Sequence, residues 1–200
     1  MRALPLTEEP SRGSTRARRR EVVPASVLGM LIFVGTEVMF FAGLISAFTI
    51  SRAGAAPGTW GLREGLTLPV QATAVNTLAL LASGVLVWLA GRQHAAGQAR
   101  AKGLLLAGLL LGTAFVVLQG QEWMGLLSEG VTLWSSSLGA FFYLIVGTHA
   151  VHAVGALLGL FVAWWRLRSG RLSRGFLLGA QTFWYFVVGI WPIIYARVYF

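Results

Sequence analysis

Four ionisable residues that could do chemistry lie inside long apolar stretches: Glu37, Glu122, His149 and His152. Glu37 stands near the middle of its stretch, where a charged side chain costs roughly 2.5–3.5 kcal/mol on insertion-derived scales. Such a residue faces other helices or a wet cavity rather than lipid. We therefore expect Glu37 to be either a neutral, hydrogen-bonded acid or a member of a proton path. Glu122 stands near the end of its stretch, where it is expected to meet interfacial water.

The two histidines are the other candidates for chemistry. His149 and His152 are three residues apart, so both imidazoles could approach one metal ion, or one could bind a haem iron. A metal site needs further ligands, and only Glu37, Glu122 and His94 remain, the last in a polar connection. A haem held between two helices would need a second intramembrane histidine elsewhere. We therefore expect buried, hydrogen-bonded histidines, no bound metal and no catalytic residue in this chain.

The elements that position these residues are membrane spans. Of the 200 residues, 56% are hydrophobic and 12% are charged, a composition outside the soluble globular class. The absence of cysteine excludes disulfides, iron–sulfur clusters and thiolate metal sites. The first apolar stretch is too long for a signal peptide, so we expect it to be retained.

Five stretches approach or exceed the roughly 20 apolar residues that cross a bilayer as a helix. We therefore expect an all-α integral membrane protein, a bundle of five transmembrane helices over residues 25–200, preceded by a basic tail over residues 1–24. The expected spans are Val27 to Ile50, Leu68 to Leu89, Gly103 to about Leu127, about Ser136 to Trp165, and Phe176 to Ala196.

The distribution of the 16 Lys and Arg predicts the orientation. Six lie in the tail, three in the second connection and four in the fourth, so thirteen fall on one side and three on the other. The positive-inside rule then places the amino terminus in the cytoplasm and the carboxyl terminus outside. The tail cluster is expected to contact anionic lipid rather than nucleic acid; it comprises Arg16, Arg18, Arg19 and Arg20.

Polar and small residues recur at helical spacing and predict which faces pack together. Two Gly-xxx-Gly steps, Gly108 with Gly112 and Gly155 with Gly159, predict close helix contacts. Amides and hydroxyls on these faces are expected to form interhelical hydrogen bonds worth about 0.6 kcal/mol each on average. Residues on these faces include Thr73, Asn76, Thr77 and Ser83 in the second stretch, Gln119 and Glu122 in the third, and Gln181, Trp184 and Trp191 in the fifth.

Taken in order, these residues resemble a known family. The matching stretches are Thr36-Glu37-Val38-Met39-Phe40-Phe41-Ala42-Gly43; Asn76-Thr77 with Leu80-Leu81-Ala82-Ser83-Gly84; Leu118-Gln119 with Glu122; Gly147-Thr148-His149-Ala150-Val151-His152; and Trp184, Phe186, Val187, Trp191, Tyr195 and Tyr199. The chain resembles subunit III of the haem-copper terminal oxidases, which include the cytochrome c and quinol oxidases. Only the five-helix core of the family's seven-helix form is matched.

The chain departs from the family pattern at two places. In the last span the family has Trp-His-Phe-Val-Asp, whereas Tyr185 and Val188 stand at the histidine and aspartate positions here. In the second span the family often has histidines after its tryptophan, whereas Gly91 and Arg92 follow Trp88 here. Any role of those family side chains therefore does not transfer to this chain.

The resemblance implies an accessory subunit that packs on the catalytic subunit I and other oxidase subunits, supporting oxygen reduction and proton uptake. It implies haem and copper in the partner subunits and none in this chain, with lipids as further partners. The expected location is a bacterial-type plasma membrane or an equivalent respiratory membrane. The alternatives are an accessory subunit of a quinol oxidase or nitric oxide reductase, and an independent transporter or cofactor-bearing enzyme.

Overall fold

A computed structural model describes residues 25–56, 60 and 68–200, and five α-helices occupy most of these ranges. They are α1 (Ala25–Gly54), α2 (Val70–Ala95), α3 (Ala101–Ser128), α4 (Ser137–Arg168) and α5 (Arg174–Val198). Each helix is long and apolar enough to cross a membrane, so the chain is a multi-pass membrane protein and the expected five spans are confirmed. The basic tail, with Arg16, Arg18, Arg19 and Arg20, lies outside the described residues.

Serine and glycine residues mark the helix ends. The side chain of Ser136 accepts a hydrogen bond from the Gly139 amide at the start of α4, and Ser173 accepts one from Phe176 at the start of α5. Gly170 follows α4 with a φ of +68°, a conformation that glycine adopts without a steric penalty. Comparable glycines, Gly97 and Gly130, follow α2 and α3.

The helices differ widely in how much of their surface this chain buries. In the most apolar window, 56% of the residues of α5 are buried, against 6% for α1. α5 packs against α1, α2 and α4, and the rings of its Trp184 and Trp191 reach α3. Both tryptophans are fully buried. α5 therefore forms the centre of the bundle, and α1 lies at its edge.

Glycines on α3 allow neighbouring elements to approach closely. A Cβ atom on Gly108 would lie 2.8 Å from a methyl carbon of Val87, and one on Gly112 would lie 2.7 Å from the Trp184 ring. Separations this short do not accommodate a Cβ without movement of the neighbour, so glycine is required by the packing. The predicted close contact along Gly108 and Gly112 is confirmed.

The second pair of glycines, Gly155 and Gly159 on α4, is packed less tightly. A Cβ atom on Gly155 would lie 3.7 Å from Phe183, and one on Gly159 would lie 3.9 Å from Ala180. These are ordinary van der Waals distances to side-chain atoms of α5, so a Cβ atom would fit at either position. The face that carries Gly155 and Gly159 does contact α5, but the packing does not require glycine at either position.

Candidate functional site

Glu37 on α1 and His152 on α4 are in contact. Theirs is the one contact between an acidic and a basic side chain in the part of the chain that the structure describes. Oε2 of Glu37 lies 2.9 Å from Nε2 of His152, and Nδ1 of the same ring lies 2.8 Å from the carbonyl oxygen of Thr148. Because a carbonyl oxygen only accepts hydrogen bonds, Nδ1 must carry a proton. One further proton then lies between Nε2 and Oε2. Whether it resides on the acid or on the imidazole, the pair has zero net charge.

Aromatic rings surround the histidine of this pair. Ring centroids of Phe41, Phe183 and Phe186 lie 5.4, 6.2 and 6.2 Å from the imidazole of His152. The side chains of Glu37 and His152 retain 18% and 15% exposure. The pair is thus a polar unit set among aromatic rings, and part of each side chain is exposed at the surface of this chain.

Glu37 lies apart from the polar faces of α2 and α3. The structure places it at the contact of α1 with α4, whereas the polar faces of α2 and α3 are directed towards each other and towards α5. The polar residues therefore fall into two groups, the Glu37–His152 pair and a separate hydrogen-bond network.

That network joins α2, α3 and the end of the chain around Glu122. Oε2 of Glu122 accepts hydrogen bonds of 2.8 Å from Thr73 and from the side-chain amide of Gln119. The amide nitrogen of Gln119 also lies 3.1 Å from the Tyr199 hydroxyl, and the Asn76 amide donates to the Phe115 carbonyl at 3.1 Å and to the Gln119 oxygen at 3.4 Å. Glu122 is half-buried, and these two hydrogen bonds hold its carboxyl group against α2 and α3.

Tyr199 completes this network from just beyond α5. Burial raises the pKa of its hydroxyl above the ordinary value, so the group keeps its proton at neutral pH. Tyr199 was matched to the family from sequence without a contact being assigned to it. Its contact depends on where the end of α5 lies relative to Gln119 on α3, which helical spacing within one segment does not reveal.

Three further hydrogen bonds tie α2 to its neighbours. Ser83 donates to the Gly108 carbonyl at 2.6 Å, Gln181 donates to the Val87 carbonyl at 2.8 Å, and the indole of Trp191 donates to the Thr77 hydroxyl at 2.8 Å. The acceptors in the first two are backbone carbonyls of membrane helices, so these bonds hold helix against helix.

His149 lies apart from His152 in the interior. Its ring is 1% exposed and stacks on Trp191 with centroids 4.9 Å apart. Neither ring nitrogen has a hydrogen-bond partner among the described residues, so the expectation of a hydrogen-bonded ring is wrong here. The ring borders a cavity of about 120 Å³ whose lining includes Gln119 and Trp123. The two histidines therefore do not converge on one ligand.

Metal-ligating side chains do not cluster in the described part of the chain. No group of three or more His, Cys, Asp or Glu residues there is arranged to hold a metal ion. The described geometry is that of polar contacts between helices, with one proton-bearing pair at the edge.

One family model covers the whole part of the chain that forms these contacts. The model for cytochrome c oxidase subunit III matches residues 13–200. The chain belongs to the cytochrome c oxidase subunit III family. It is similar to cytochrome c oxidase subunit 3 of Corynebacterium diphtheriae, with 32% identity over 182 residues and 86% coverage of each chain.

Other subunit III proteins are similar to this chain to the same degree, although they differ in length. A probable cytochrome c oxidase subunit 3 of Mycobacterium leprae is 32% identical over 180 residues, again with 86% of each chain covered. Cytochrome c oxidase subunit 3 of Emericella nidulans is 31% identical over 185 residues, which cover 66% of that protein. The resemblance drawn from the motifs is confirmed.

Proposed function

We propose that this chain is a non-catalytic accessory subunit of a respiratory haem-copper oxidase of the cytochrome c oxidase type. The observation that carries the proposal is the family match across nearly the whole chain. In this proposal the haem and copper reside in the catalytic partner subunits, and this chain binds neither. It packs on catalytic subunit I and sustains oxygen reduction and proton uptake there.

The described polar contacts support a scaffolding role. Asn76, Ser83, Gln119 and Gln181 are buried and bonded to other helices of the same chain. Buried polar groups used in this way fix helix positions, and a fixed bundle can present a constant surface to a partner.

The orientation and location form a second part of the proposal. With five spans, thirteen of the 16 Lys and Arg fall on the same side of the membrane as the amino terminus. On this basis the amino terminus lies in the cytoplasm of a bacterial-type cell, the carboxyl terminus lies outside, and the tail arginines contact anionic lipid.

Selective removal of this chain from the purified oxidase tests the accessory role. The haem absorption spectrum and the initial rate of oxygen consumption should persist, while activity should decline sooner during continuous turnover than in the intact complex. Readdition of the chain should restore the longer activity. Loss of the haem spectrum on removal, or turnover that lasts equally long without the chain, would contradict the role.

A further inference from the structure

The two histidines of α4 differ in their polar partners. The ring nitrogens of His152 lie 2.8 and 2.9 Å from a backbone carbonyl and a carboxyl oxygen, whereas those of His149 have no hydrogen-bond partner in the part of the chain that the structure describes. His149 is also 1% exposed. A neutral imidazole carries one N–H donor and one nitrogen acceptor, and burial of both without partners is unfavourable. A group from outside these residues is needed to satisfy the ring.

Aromatic contacts hold the imidazole of His149 in place. It stacks on Trp191 with centroids 4.9 Å apart, and the ring centroids of Phe41 and Phe115 lie 6.4 and 6.5 Å away. The indole N–H of Trp191 donates to the Thr77 hydroxyl at 2.8 Å, which fixes the stacking surface relative to α2. These contacts oppose movement of the imidazole towards a more distant protein partner.

A narrow cavity lies beside this ring, between α3 and α4. Its volume is about 120 Å³. Along α3 its lining extends from Phe115 to Trp123, a rise of about 12 Å at 1.5 Å per residue. The cavity is smaller than the roughly 300–1,000 Å³ of a typical small-molecule site. Because a water molecule takes up about 30 Å³ of the liquid, there is room for up to about four.

Three residues of the lining have hydrogen-bonding capacity that the protein does not use. They are Gln119, Trp123 and His149. The indole nitrogen of Trp123 is buried and has no partner among residues 25–56, 60 and 68–200. The side-chain oxygen of Gln119 accepts one hydrogen bond, from Asn76, and has a second lone pair. Together these groups provide the two to four polar partners that a buried water requires.

The remaining lining is apolar, and a cavity of this size with apolar walls alone stays dry. It consists of Phe115, Val116, Gly120, Val146, Ala150, Ala153 and the ring of Trp191. The donor and acceptor groups of the three polar residues therefore favour water over an empty or apolar-filled cavity.

We propose that this cavity holds a short file of ordered water, about two to four molecules, bonded to His149, Gln119 and Trp123. The indole N–H of Trp123 donates to the file, the imidazole of His149 exchanges hydrogen bonds with it, and the Gln119 oxygen accepts from it. Water thus makes the hydrogen bonds of His149 that the described protein groups do not make.

The file connects α4 to the hydrogen-bond network around Glu122. The bonds of that network join α3 to α2 and to Tyr199, and none of them reaches α4. Through Gln119, which donates to Glu122, water extends the network to His149 in the interior. The site is formed by α3, α4 and α5 alone, so the proposal does not depend on the role of the chain in an oxidase.

Solid-state NMR of the full chain in lipid bilayers tests whether water contacts His149. The chain has three histidines, so labelling of the ring nitrogens with nitrogen-15 gives a simple spectrum, and His149→Phe assigns the signal by its loss. Magnetisation from water should reach the rings of His149 and of the partly exposed His152 at comparable rates. Transfer to His152 with none to His149 would overturn the proposal.

Two tryptophan variants test the contact at the far end of the file. Trp123→Phe removes one donor, and should reduce the transfer from water to His149 while leaving that to His152 unchanged. Trp134→Phe removes an indole that is 94% exposed, and should change neither signal. Thermal unfolding of each variant confirms that the fold is retained. Equal transfer to His149 in Trp123→Phe and the wild type would refute the contact of the file with Trp123.

A density map of the full chain at near-atomic resolution locates the occupants of the cavity. Separate peaks are expected about 2.7–3.2 Å from a ring nitrogen of His149 and from the indole nitrogen of Trp123. Continuous elongated density would assign the cavity to an acyl chain or to a side chain of a partner. Xenon binding in the cavity, with no water peaks, would show that it is dry. Either of these last two results would overturn the proposal.

Discussion

Glu37 and His152, 115 residues apart in the chain, are joined by a contact of 2.9 Å between α1 and α4. α1 buries little of its surface against the rest of the chain, and this polar contact adds to the packing of its two buried rings, Phe41 and Phe48. The carbonyl of Thr148 fixes a proton on Nδ1 of the imidazole, which leaves Nε2 to share a single proton with the carboxyl group.

Two substitutions of Glu37 should distinguish the contribution of its hydrogen bond to stability from that of its charge. In Glu37→Gln the amide can donate to Nε2 of a neutral His152, so the thermal unfolding temperature should stay near that of the wild type. Glu37→Ala leaves Nε2 without its partner and should cost about 1–3 kcal/mol of unfolding free energy. Met39→Ala, at an exposed position on the same helix, serves as the control.

A double-mutant cycle with His152→Ala measures the coupling of this pair directly. Residues in contact commonly couple by about 0.5–3 kcal/mol, and we expect a value in that range. Additive effects of Glu37→Ala and His152→Ala would show that the contact contributes nothing to stability.

The Glu122 network gives a second prediction. Glu122→Ala removes the acceptor shared by Thr73 and Gln119, and should lower the unfolding free energy by about 1–3 kcal/mol. Glu122→Gln keeps an oxygen that can accept both bonds and should be much milder. Glu129→Ala, at the exposed end of α3, should have no measurable effect in the same denaturation assay. Comparable losses in Glu129→Ala and Glu122→Ala would argue against the network.

Glycine packing on α3 gives a third prediction. Gly112→Ala places a Cβ 2.7 Å from the Trp184 ring and should destabilise the bundle by about 1–3 kcal/mol. Gly120→Ala, with nothing within 4 Å of the new atom, should be neutral or stabilise the helix by up to about 1 kcal/mol. Unfolding in a denaturing detergent series measures both, and equal stability of the two variants would contradict the close contact.

The proposed orientation can be checked with reporters at the two ends of the chain. A reporter active only in the cytoplasm should work at the amino terminus, and one active only outside should work at the carboxyl terminus. Moving basic residues from the fourth connection to the third should reduce this preference, because Lys and Arg in short loops set the topology. Cytoplasmic activity at both ends would contradict a five-span chain of this orientation.

The spans could be predicted from the sequence because length and apolarity suffice to identify a membrane helix. The contact at Gly108 and Gly112 was also predictable, since small residues at helical spacing favour close approach. The partner of Glu37 was not, because α1 has apolar residues on all sides and its pattern does not show which face meets α4.

His149 shows a second reason why side-chain contacts could not be predicted from the sequence. Sequence spacing placed His149 and His152 on one face, but a shift of three residues along α4 also moves a side chain about 4.5 Å along the axis. That displacement and the rotation between them suffice to put His149 against Trp191 and His152 against Glu37. Tertiary position, rather than helical spacing, decides which polar groups meet.

Co-purification under mild detergent tests the central claim most directly. With an affinity tag on this chain, a haem-bearing oxidase catalytic subunit should elute with it in a constant ratio, and the eluate should show the haem absorption bands of that subunit. Elution of the chain alone, with no haem-bearing partner and no oxygen-reducing activity, would contradict the assignment of this protein as an oxidase subunit.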